Sequence, residues 1–90
     1  TPCSLRMDYR LLISIDVVEF VERLPVRFRK AIRSSFAAIG EDPLGCSDAT
    51  DYDSSGRLLH VMIVGDFALM YWIDDADRHV KILDVHSADR

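Results

Sequence analysis

Cysteine is scarce in this chain. Cys3 and Cys46 are the only two, one near the start and one in a loop-like stretch, with no paired spacing that reads as a disulfide framework or a zinc site. A reducing, cytoplasmic setting is the expectation. Glycine is limited to four residues, and none forms the Gly-rich run that cradles phosphates or the Gly-x-Ser-x-Gly turn that presents a nucleophile. No cysteine is spaced from a histidine as a catalytic pair, and no ligand set suggests a metal or other cofactor. Long hydrophobic runs are missing too, which argues against a membrane span. Nor is there an excess of positive charge. Eleven Lys and Arg against fifteen Asp and Glu give a net charge of -4, whereas holding nucleic acid by bulk electrostatics draws on clustered cations.

What is present is an ordinary globular balance, 49% hydrophobic and 29% charged, in 90 residues. That length predicts one domain, residues 1–90, burying roughly two-thirds of its chain surface, so that a site should be a surface groove rather than a deep cavity. "TPCSLRMD" lacks the basic start and apolar middle of a secretory signal. The Met at position 7 marks residues 1–6 as an extension, and residues 1–8 are expected to be flexible. Charge is unevenly placed: Arg23, Arg27, Arg29, Lys30 and Arg33 crowd one segment, and Glu41, Asp42, Asp48, Asp51 and Asp53 follow in the next.

"YRLLISI", residues 9 to 15, is rich in branched and aromatic side chains and predicts a strand with Tyr9, Leu11, Ile13 and Ile15 on one face. Asp16 suits an N-cap, and Val17, Phe20, Val21 and Leu24 recur at helical spacing, giving a short helix that Pro25 ends. A second helix begins at that proline and runs to Ile39, burying Phe28, Ile32, Phe36 and Ile39 and stopping at Gly40. Residues 40 to 57 carry turn formers and acids and read as a loop with one short edge strand near Ala49 to Tyr52. "RLLHVMIV", "FALMYWID" and "HVKILDVH" are separated by turn-length gaps and predict an antiparallel meander. The fold class is therefore α+β: an N-terminal strand, a helical hairpin, then an antiparallel three- to four-stranded meander, with the first strand beside it. "FALMYWI" is apolar on both alternating sets and suits the central strand. Phe67, Leu69, Tyr71 and Ile73 should meet the helices, which leaves Ala68, Met70 and Trp72 on the other face.

Few residues suggest chemistry. His60 and His86 lie inside strand patterns, where an imidazole either moves protons or simply sits half-buried with a satisfied hydrogen bond. His79 sits at a turn beside Arg78. The basic run Arg27, Arg29, Lys30 and Arg33 offers a grip for RNA phosphates or an acidic partner, and its plainer reading is the solvated face of an amphipathic helix. Asp74, Asp75 and Asp77 cluster in "DDADR", where Asp commonly bonds its own turn backbone.

In order and spacing, "YRLLIS", "VVEFVERLPVRFRKAIRSSFAAIGEDP" and "GDFALMYWIDDADRHVKILDVH" together resemble the RelE/ParE family of bacterial type II toxin-antitoxin proteins over residues 9 to 90. The resemblance implies a small cytoplasmic toxin that binds an extended antitoxin and acts either by cleaving mRNA on the ribosome or by poisoning DNA gyrase. Fold does not choose between these. Nuclease members commonly place an Arg where this chain has Ala68, and close with a basic pair where it reads "VHSADR". Phosphodiester cleavage develops negative charge that a positioned Arg stabilises by a few kcal/mol, so the resemblance implies depleted nuclease residues. His60, His86, Lys81 and Arg90 are the remaining candidates for catalysis. Leu12, Met62, Ala68, Met70 and Trp72 are expected to form one exposed apolar groove for a partner helix or strand. A non-toxic binding module is a further reading, and a homodimer would also cover that face.

Overall fold

A computed structural model describes residues 9–88. Its elements are β1 (Arg10–Ile13), α1 (Ile15–Glu22), α2 (Val26–Glu41), β2 (Ala49–Tyr52), β3 (Leu58–Val64), β4 (Phe67–Asp74) and β5 (His79–Ser87). They form one five-stranded sheet in the order β1-β5-β4-β3-β2, parallel only where β1 joins β5. The α+β class, the strand beside the meander and the central place of β4 all agree with the sequence.

The first strand is shorter than its pattern suggests. It stops at Ile13, because the Ser14 hydroxyl accepts from the Asp16 amide and starts α1 two residues before the expected Asp16 cap. Ile15 therefore leaves the strand face and stands 70% exposed in the first helical turn. Gly40 likewise fails to stop α2, which continues to Glu41. The Gly40 carbonyl accepts from the Tyr9 amide at 2.9 Å, and this contact ties the helix end to the strand start.

Both helices pack on one face of the sheet. Val17, Val21, Ile32, Phe36 and Ile39 meet Leu69, Tyr71, Val80, Ile82 and Val85 in a single core. Phe28, expected in the buried stripe, is half-buried and meets the Phe67 ring edge-on at 5.5 Å. In β4, Phe67, Leu69, Tyr71 and Ile73 all belong to this core or pack against it. Side chains alternate across a strand, so Ala68, Met70 and Trp72 lie on the opposite face, which no described helix covers.

The β5 strand has one irregularity. Met70 pairs with Asp84 and Tyr71 with Ile82, leaving Leu83 as an extra residue in a bulge. The bulge allows Ile82 and Val85, three apart, to face the same core.

Candidate functional site

The open face of the sheet is built from the outward positions of its strands: Leu12 on β1, Ala68, Met70 and Trp72 on β4, and Lys81, Asp84 and His86 on β5. Pairing fixes their neighbours. Leu12 lies beside Lys81, Lys81 beside Trp72, and Ala68 beside His86. Trp72 is half-buried and flanked by cations: the Arg57 guanidinium carbon lies 4.4 Å from its ring and the Lys81 Nζ lies 5.0 Å from it. Each such contact contributes about 0.5–1 kcal/mol at an exposed site. Ala68 is only 5% exposed, so it forms floor rather than wall. Met62, expected in the same groove, is on the other side. It pairs with Leu69 and packs against the helix-covered core, because residues opposite one another in a ladder share a face.

The three catalytic candidates among the described residues, His60, Lys81 and His86, do not converge. His60 pairs with Tyr71 and therefore points to the helix side, 7% exposed, with its ring stacked on the Tyr71 ring at 5.6 Å. The Ser47 hydroxyl donates to the Ala49 carbonyl, so its oxygen accepts from His60 Nδ1–H at 2.9 Å. Burial holds the His60 pKa below its ordinary value, partly offset by the Asp75 charge. Next to it the Tyr71 hydroxyl donates to the Pro43 carbonyl at 2.6 Å, and burial pushes its pKa up. His60 is thus part of a latch between the α2–β2 loop and the sheet, with its ring on the opposite face from His86.

His86 is on the open face, its side chain 49% exposed. Its Nδ1 lies 2.9 Å from the Asp84 Oδ2. An ionised carboxylate only accepts, so Nδ1 donates to it, and in the neutral form of the ring Nε2 is then the nitrogen that carries the lone pair. Lys81 is four β4 residues along, between the pairing positions of Ala68 and Trp72, which is about 13 Å at strand rise. Arg90 lies outside the described residues. One histidine with its orienting acid is what remains near Ala68.

The basic face of α2 is largely occupied with structure. Arg33 pairs with Glu22 of α1, Arg29 donates to the Leu24 carbonyl at 3.1 Å, and Arg27 lies over the Phe28 ring. The first two contacts tie α2 to α1 and to the turn between them, and Lys30 remains exposed. In the β4–β5 turn, Asp74, Asp77 and His79 each bring one ligand atom within 4.8 Å of the others. Asp74 Oδ1 there accepts from the Asp77 amide, the turn role expected of it. Sequence reading misses Ser47 as the partner of His60, and it does not pair Asp84 with His86 or Arg57 with Trp72. Only the break in alternation from Val80 and Ile82 to Val85 signals the bulge.

No protein-family model matches the chain, and no curated protein matches it in sequence. Solved structures do. A chain of the archaeal RelE-RelB complex from Pyrococcus horikoshii OT3 superposes with a TM-score of 0.80 at 21% identity, covering 92% of this chain and 98% of that one. The chain has the RelE fold. A chain of the toxin-antitoxin complex RelBE2 from Mycobacterium tuberculosis gives 0.76 at 24% identity, over 91% of this chain and 94% of that one. The first of these structures is a RelE-RelB complex and the second a toxin-antitoxin complex. No helix among the described residues is long and apolar enough to cross a membrane.

Proposed function

We propose that this chain is the toxin-like member of a bacterial, cytoplasmic type II toxin-antitoxin pair, and that its open sheet face binds the antitoxin. The observation that carries this reading is the composition of that face. Met70 and Trp72 stand half-exposed with Leu12 at 43% exposure, on a fold shared with chains solved in toxin-antitoxin complexes. Apolar surface left open on a small protein favours association. Nuclease chemistry is depleted in this reading: Ala68 carries no charge to meet a phosphoryl oxygen, and His60 is turned to the core.

The test is induction of the chain alone in a bacterial host, with growth, translation and DNA integrity followed separately, and then with the product of the neighbouring gene co-expressed. A stable complex with that product and no RNA cleavage are expected. Failure of the two to associate would overturn the proposal.

A ribosome-dependent endoribonuclease is the second reading, favoured by the Asp84–His86 contact that leaves Nε2 open as a base. Under that reading His86→Ala abolishes mRNA cleavage in a reconstituted translation reaction while His60→Gln retains it. Equal cleavage by parent and His86→Ala would exclude it.

A further inference from the structure

The bulge in β5 does more than reset the core register. It places Leu83 beside the end of β1, where Leu12, Ile13, Ile82 and Leu83 enclose a pocket of about 250 Å³ with Ser14 and Lys81 at its rim. Leu12 and Leu83 stay 43% and 37% exposed there, and the lining is almost wholly carbon. A partly open recess of this size and chemistry suits one aliphatic or aromatic side chain.

The surroundings define what carries that side chain. β1 is the outermost strand of the sheet, and no further strand adjoins it among the described residues. The Arg10 amide donates to Arg78 and the Ser14 amide to Ile82, both toward β5, so by alternation the amides of Leu11 and Ile13 point outward. That edge suits an extended segment. The charge on the rim is positive. Lys81 makes no ion pair among the described residues, and its ammonium rests on Trp72. Arg10 stands exposed on the same strand face as Leu12. The acid on β5, Asp84, is already engaged by His86. A second copy docking through this edge would set the basic rim against itself, whereas an acidic segment complements it.

We infer that the pocket where the β5 bulge meets β1 anchors an aliphatic side chain of an extended, acidic antitoxin segment, with a carboxylate of that segment on Lys81. This rests on the reading that an antitoxin is the partner.

The test titrates the ¹⁵N-labelled chain with the blocked peptide acetyl-Asp-Leu-Asp-Leu-Asp-amide and with its counterpart in which Lys replaces Asp. The acidic peptide should shift the amides of Leu12, Ser14 and Leu83 saturably and bind about tenfold more tightly than the basic one. Lys81→Glu should reverse that preference, and Leu83→Asp should remove binding at an unchanged melting temperature. Absent shifts, or equal binding of the two peptides, would overturn the inference. A complex with the neighbouring gene's product that tolerates both Leu83→Asp and Lys81→Glu at parental affinity would remove the pocket while leaving the antitoxin reading intact. Binding of the acidic peptide here, with no association by that product, would do the reverse.

Discussion

His60→Ala separates a structural histidine from a catalytic one, and its cost follows from the contacts. The ring stacks on Tyr71 at 5.6 Å, a kind of pair worth about 0.5–1.5 kcal/mol. It also donates to Ser47 at 2.9 Å, a net contribution of about 1 kcal/mol. Removing a 7%-exposed ring leaves a gap beside the core as well. Together these predict a loss of about 2–3 kcal/mol, which in a domain of this size lowers the melting temperature by roughly 10–20 °C. The assay is thermal unfolding by circular dichroism, with mRNA cleavage in a reconstituted translation reaction measured on the same preparation below the melting temperature. A variant that melts with the parent yet loses a cleavage activity the parent has would refute the assignment of His60 to the latch.

Tyr71→Phe should cost about 1–3 kcal/mol, because it strands the buried Pro43 carbonyl that now accepts at 2.6 Å; the urea midpoint measures it, and an unchanged midpoint would show that the bond adds nothing to stability. The depressed His60 pKa makes stability pH-dependent in one direction. The folded state binds fewer protons than the unfolded one, so the contribution is complete above 6.5 and is lost as pH falls through the lower folded value. Unfolding titrations on both sides of that window should show this decline, and His60→Gln should remove its share of it. Gly65 turns β3 into β4 at φ +58, with open space where a Cβ would stand, so Gly65→Ala should cost about 1–2 kcal/mol through backbone strain alone. Calorimetry would read that as a lower melting temperature.

The meander and the helical hairpin are legible in the sequence because their patterns are long and their turns are marked. "FALMYWI" can be placed at the sheet centre because it is apolar on both alternating sets, although the face of Met70 and Trp72 is covered by no described helix and both stay half-exposed. Element ends are less legible. Asp16 reads as the N-cap from sequence, and the hydrogen bond from its amide to the Ser14 hydroxyl shows that the cap lies two residues earlier. Site residues are the hardest to assign. His60, Met62 and Met70 all lie in strands, and which face each meets depends on the β3–β4 register, with His60 opposite Tyr71 and Val61 opposite Met70. A one-residue slip would exchange the two sets. Spacing within either strand alone does not fix that register, so from sequence Met62 groups with the open face and His60 with His86.

The opposed placement of Met62 and Met70 also gives the most direct test of partner binding through the open face. The chain would be labelled with ¹³C at its methionine methyl groups and titrated with the product of the neighbouring gene. Binding through the open face predicts that the Met70 methyl resonance shifts on complex formation while that of Met62, under the helices, stays in place. A complex that moves Met62 and leaves Met70 untouched would contradict it.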